Sequence, residues 1–187
     1  MKKLVSSILM TLDGFAAGPN GELDMFNVDQ KFFDVANKLT QEADTALYGR
    51  VTYQIMDSYW PTAADQPNAS KHDKEHSTWY NKVNKIVLSK TLKSNKANTT
   101  IISTNITEEI TKLKQGTGKN IQIFGSPGIV RLLTQENLID EYWLFVAPVI
   151  LGNGILVFKD GKNRVNLKLL ETMSSDSGIT GLHYERV

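Results

Sequence analysis

Apolar and polar positions along this chain follow two rhythms, one of strands and one of helices. Residues 3–12 form an apolar run that reads as a buried strand, followed by the turn-rich DGFAAGPNGE at 13–22. From Asp29 the apolar residues Phe32, Phe33, Ala36, Leu39 and Ala43 recur at helical spacing, with Gln30, Lys31, Asn37 and Lys38 on the other face. TALY at 45–48 is a short strand ended by Gly49, and Val51–Met56 begin another helix. The polar, proline-bearing stretch 61–82 reads as a surface excursion with one short helix. KIVLS (85–89) and TIIST (100–104) are strands, and Ile106–Lys114 is a helix started by Thr104 or Asn105. IQIF (121–124) is a strand leading into a helix whose buried side carries Ile129, Leu132 and Leu133. EYWLFVAPVIL (141–151) is almost continuously apolar, as expected of a strand covered on both faces. The tail, VNLKLLETM–SSDSG–ITGLHYERV, predicts an antiparallel hairpin. Strands alternating with helices predict an α/β fold with a mostly parallel central sheet, finished by that hairpin, in one domain spanning 1–187.

Composition changes this picture little. Lys and Arg total 21 against 20 Asp and Glu, so no broad field favours nucleic acid or an anionic membrane. There is no cysteine, which excludes disulfides and thiolate chemistry. The opening MKKLVSSILMTLDGF is interrupted by Ser6 and Ser7 and offers no convincing cleavage site, so a first strand and a cytoplasmic location are expected.

Three strand ends could carry chemistry, because helix N-termini there present free N–H groups and partial positive charge. In IFGSPGIV, Gly125 and Gly128 let a ligand approach the backbone, Ser126 is a candidate N-cap and Pro127 fits the first helical position. The same tetrapeptide is equally readable as a tight turn. In YGRVTY, Gly49, Arg50 and Thr52 bring a cation, a hydroxyl and a helix start together, or simply a surface arginine and a capped helix. In LSK, Ser89 and Lys90 follow a strand, as either phosphate contacts or solvated loop. His72 and His76 have a metal-like i, i+4 spacing but no obvious third ligand, so a solvated face and no metal are expected. Trp60 is core or an aromatic wall for a flat substrate, and Trp143 is packing.

Taken together, TLDGFAAGPNGELD, LYGRVTY, KIVLS, IFGSPGIVRLL and above all LIDEYWLFVAPVILGNGILVF resemble the dihydrofolate-reductase-like superfamily. The likeness is greatest to free-standing relatives of the C-terminal reductase domain of the bacterial riboflavin-biosynthesis deaminase–reductase. The resemblance implies a three-layer dihydrofolate-reductase-like fold and NADPH as cofactor. It implies that Gly49, Arg50 and Thr52 hold the pyrophosphate or 2′-phosphate side, and that Ser89 and Lys90 lie near the 2′-phosphate. Gly125, Ser126, Gly128 and Ile129 would form the second pyrophosphate loop, and Ala16 and Ala17 would line the nicotinamide pocket. Relatives usually carry two glycines, often joined by a cis peptide, where this chain has Gly125-Ser126.

The expected activity is hydride transfer to a small planar heterocycle, pyrimidine- or pterin-like, by a homodimer. The rival is a non-catalytic NADP(H)-binding module. Asp13 is the preferred substrate-contacting acid, with a turn-stabilising role as its alternative. Asp34 is a second candidate acid, and water is the third source of the proton. Trp60 and Pro148 are the candidate substrate contacts.

Overall fold

The computed structural model describes residues 1–159, 161 and 164–187. Its frame is an eight-stranded sheet. The strands are β1 (Leu4–Thr11), β3 (Ala43–Gly49), β4 (Asn84–Leu88), β5 (Thr99–Ile102), β6 (Asn120–Phe124), β7 (Glu141–Ala147), β9 (Leu167–Ser174) and β10 (Thr180–Arg186), in the spatial order β5-β4-β3-β6-β1-β7-β10-β9. Every pairing from β5 to β7 is parallel, and β7–β10 and β10–β9 are antiparallel. The expected mostly parallel sheet with its C-terminal hairpin is therefore present. A second, two-stranded antiparallel sheet joins β2 (Phe15–Ala17) to β8 (Ile155–Leu156). The helices are α1 (Gln30–Gln41), α2 (Arg50–Tyr59), α3 (Lys71–Lys82), α4 (Ile106–Gln115) and α5 (Pro127–Gln135).

Side-chain alternation along the strands divides the core between two faces. Leu4, Ile8, Leu47, Ile121 and Ile123 meet Ile110 of α4 and Val130 and Leu133 of α5 on one face. Their neighbours point the other way. Val5, Trp143 and Phe145 pack with Leu39 of α1, while Ala46, Tyr48 and Phe124 pack with Tyr53 of α2 and Tyr80 of α3. The result is helix, sheet, helix.

Two sequence expectations are corrected here. The stretch 61–82 is no mere surface excursion, because a 3-10 turn at Trp60–Asp65 leads into the twelve-residue α3. His72, His76 and Tyr80, spaced by four, are buried along one side of that helix, so the histidines do not lie on a solvated face. Aromatic rings make that burial possible: His72 stacks on Phe33 at 4.1 Å, and His76 lies 4.0 Å from Trp60 and 5.2 Å from Trp79. His72 Nδ1 meets Asn37 Oδ1 at 3.0 Å, whereas neither ring nitrogen of His76 has a partner. Desolvation holds His76 down to about 3, so it is neutral in the folded protein. The second correction is that β7 ends at Ala147, with Pro148–Leu151 continuing as loop.

Candidate functional site

The parallel register sets the site. Gly49 pairs with Leu88, so Ser89 lies one step beyond it, and Leu47 pairs with Ile123, which puts Gly125 at the same level. Ser7 pairs with Phe124, and β1 then runs on to Asp13, Ala16 and Ala17. The predicted residues of four separate segments therefore line one edge of the sheet, in the order β4, β3, β6, β1. This is the carboxyl edge, where open α/β sheets take their ligands.

The helices that start at this sheet end their first turns differently. α1 is capped by Asp29, which accepts the N–H of Phe32. α3 has a full capping box in which Ser70 and Asp73 satisfy each other's backbone. α4 carries Glu108 and Glu109 in its first turn. α2 and α5 alone among the five have neither a side-chain cap nor an acid there. At α5 the Ser126 carbonyl takes the N–H groups of Ile129 and Val130 and Pro127 has none, so Gly128 offers the first-turn N–H; with no side-chain cap or acid in the way, both helix starts suit an incoming anion. Arg50, exposed at the first position of α2, adds a cation whose Nη1 donates to Gln54 Oε1 at 3.0 Å. That donor set fits a diphosphate.

The two open turns touch. A Cβ on Gly49 would lie 3.1 Å from Ile129 Cγ1, and one on Gly125 would lie 3.7 Å from Thr52 Cγ2. Ser126 occupies the N-cap position of α5 but does not cap it, contrary to the sequence expectation. Its backbone is left-handed (φ 56°, ψ 58°), and its hydroxyl accepts the Gly49 N–H at 3.1 Å and donates to Phe124 O at 3.1 Å. Holding a serine in that region costs about 1–2 kcal/mol. Gly125 also has positive φ, at 53°, and no peptide bond among the described residues is cis, the Gly125–Ser126 bond included.

Ser89 and Lys90 complete the edge beyond β4. The Ser89 hydroxyl accepts the N–H groups of Thr91 (3.2 Å) and Leu92 (2.9 Å), and Lys90 is exposed. On the far side, Ala16 and Ala17 are buried in β2. The Ala17 carbonyl would stand 2.3 Å from a Cβ on Gly154, so only glycine lets the 151–154 loop close over this strand.

Asp13 pins that loop. Its carboxylate accepts from Thr11 Oγ1 (2.6 Å), Leu151 N (3.1 Å) and Gly152 N (2.7 Å). The Thr11 hydroxyl above all, with the backbone donors, holds Asp13 down to about 2 despite some desolvation. The backbone partners of the carboxylate lie in the distant 151–152 loop, while the Gly14 N–H goes to the Thr11 carbonyl, and the group stays ionised at every pH where the protein would work. Asp34 is exposed on α1 and accepts from Gln30 Nε2 at 2.8 Å. Pro148 is exposed just after β7, against Gly178. Trp60 stands away from the cradle edge, at the end of α2, with its Nε1 3.1 Å from Met56 Sδ and its ring beside His72 and His76. Sequence reasoning saw the His72/His76 spacing but not its burial, and it missed the Ser126 bond to Gly49, which leaves no pattern in the chain.

Comparisons with known proteins fall in line with this geometry. The chain belongs to the RibD C-terminal domain family, whose sequence profile matches residues 2–180. It is 33% identical over 187 residues to the uncharacterized protein YyaP of Bacillus subtilis, covering 98% of this chain and 94% of that one. Among solved structures it is similar to a putative riboflavin biosynthesis protein from Shewanella sp. PV-4 (TM-score 0.73, 21% identity, 99% of each chain). It is also similar to dihydrofolate reductase from Enterococcus faecalis in complex with NADP(H) (TM-score 0.62, 13% identity, 98% of this chain and 96% of that one). The fold is therefore dihydrofolate-reductase-like and the class that of the oxidoreductase-like RibD C-terminal domains. Among the described residues no helix is long and apolar enough to cross a membrane.

Proposed function

We propose that the protein is an NADPH-dependent reductase of a small planar heterocycle, pyrimidine- or pterin-like. One observation carries the reading. On the adjacent strands β3 and β6, the two following helices are the ones left without a cap or a first-turn acid, and they open side by side. The N–H groups and side chains of Arg50 and Thr52 would hold one phosphate and the Gly128 N–H the other, with Ile129 packing beneath the loop. Arg50, Ser89 and Lys90 would meet the 2′-phosphate, a dianion for which arginine gives a bidentate grip. Ala16 and Ala17 would flank the nicotinamide. When bound, NADPH supplies the hydride.

The remaining chemistry falls to the chain. Asp13 fixes the 151–152 loop against the end of β1 and so positions the pocket wall, but an acid held at about 2 releases no proton to a substrate near neutrality. Asp34 is open to solvent and serves at most as a relay from it. Water is the source of the proton. Pro148, after β7 on the same edge, borders the substrate side, and Trp60 supports α3 instead. The edge strand β9 exposes Leu167, Leu169 and Leu170, and this favours a homodimer, to be tested by sedimentation.

The experiment is a fluorescence titration with NADPH and NADH on wild type and Arg50→Ala. The expected result is a preference for NADPH that falls roughly tenfold in the variant, as for loss of a charge-assisted contact of about 1.4 kcal/mol. Turnover with candidate pyrimidines and pterins then separates a reductase from a silent NADP(H)-binding module. Binding of neither nucleotide would sink the reading.

A further inference from the structure

Among the described residues, the hydroxyl of Ser126 makes the one side-chain hydrogen bond between the β3–α2 and β6–α5 turns. We infer that Ser126 is a positioning residue that bolts the β3–α2 turn to the β6–α5 turn and presets their spacing for a ligand that spans both. This rests on the cofactor reading above and goes beyond it, because it assigns pre-organisation of the cradle to one hydroxyl that never touches the ligand.

Ser126 is 4% exposed, and its oxygen both accepts from Gly49 N and donates to Phe124 O. A serine hydroxyl has one proton, which is already given away, and it points between the strands instead of outward. It is therefore unsuited to hold a phosphate, although the residue sits in the middle of the loop. Its backbone contributes otherwise: the Ser126 carbonyl accepts the N–H groups of Ile129 (2.8 Å) and Val130 (3.0 Å), which starts α5.

The N–H of Gly49 precedes the first turn of α2 and is given to Ser126, so an anion at α2 would be met by the residues that follow, Arg50, Val51 and Thr52, whose turn has no side-chain cap. The bond also fixes how far α2 stands from α5, since Gly49 already lies against Ile129, and Thr52 lies beside Gly125. A diphosphate needs both sets of donors at one separation. Holding that separation in the free protein removes an ordering penalty on binding. The left-handed backbone of Ser126 is what aims the hydroxyl across the gap, which gives the strained conformation a purpose.

The test compares wild type, Ser126→Ala and Ser126→Gly. The glycine variant relieves the positive φ, so a stably folded protein without the hydroxyl is available even if the alanine variant folds poorly. Each is titrated with NADPH, which spans both turns, and with adenosine 2′,5′-bisphosphate, which reaches only the adenosine side. The expected result is a roughly tenfold loss for NADPH and less than a twofold loss for the bisphosphate in both variants. A general loss of structure would weaken the two ligands alike, and that outcome, or no loss for either, overturns the inference. Amide hydrogen exchange without nucleotide supplies an independent readout: Gly49 should be protected in wild type and exchange at least tenfold faster in both variants. If wild type binds neither ligand, the cofactor reading falls and the inference with it; protection at Gly49 would then mark the bond as structural only.

Discussion

The N-termini of α3 and α5 solve the same problem in opposite ways. At α3, Ser70 and Asp73 close the first turn on themselves, Tyr59 donates to Asp73, and the body of the helix is anchored by buried aromatic rings. At α5, a left-handed serine leaves the first turn without a side-chain cap and turns its hydroxyl towards a neighbouring strand end. Satisfied donors make a stable helix that nothing needs to visit. An uncapped first turn on a rigid sheet edge makes a helix start that can take an anion. The contrast teaches that the site is recognisable by stability left ungathered, more than by any reactive group.

Closing the open turn should break the contrast most strongly. Gly128 is exposed, and a Cβ there meets nothing nearer than Arg131 Nη2 at 3.8 Å, so Gly128→Glu puts an acid in the first turn without a clash. It should lower NADPH affinity roughly 100-fold, about 2.7 kcal/mol, while leaving thermal stability equal or higher, as titration and calorimetry would show. The next effect belongs to the α3 side. His76 is held from 6.5 down to about 3 by burial, so the unfolded chain binds the extra proton between those values. Stability is fully present above pH 6.5 and is lost as pH falls towards 3, at about 1.4 kcal/mol per unit. His76→Phe should therefore be less acid-sensitive than wild type by about 2 kcal/mol at pH 5, measured by urea unfolding. Ser70→Ala should cost about 1 kcal/mol in the same assay and leave nucleotide affinity unchanged. The smallest effect is an absence of one: with Asp13 held at about 2, turnover between pH 4.5 and 8 should show no limb that Asp13→Asn abolishes. A limb near pH 6 lost in that variant would restore Asp13 as the acid.

Most strands and the glycine-bearing turns after β3 and β6 were legible because their signals are local. Gly49-Arg50 and Gly125-Ser126-Pro127-Gly128 each follow an apolar run and precede a helical period, and the register then aligns them. α3 was obscured because its buried stripe is written in His, Ser and Tyr, which read as polar in a sequence yet pack as rings. The role of Ser126 was illegible for another reason. A hydrogen bond between residues 77 apart depends on the sheet order, and on a backbone conformation that nothing in Gly-Ser-Pro-Gly specifies. Asp13 was ambiguous for the same cause, since its partners at 151 and 152 arrive from the far end of the chain.

The place of β1 bears on how the molecule comes into being. It precedes the other strands of its sheet in chain order and lies between β6 and β7, whose residues begin at Asn120 and Glu141. While a ribosome delivers the chain, Leu4–Thr11 must wait with both edges unpaired until β6 and β7 have emerged. Such distant pairings close late and slowly. Ser6 and Ser7, which interrupt an otherwise apolar stretch, stand inside the segment that waits longest, where they make it a poorer template for pairing with another nascent chain.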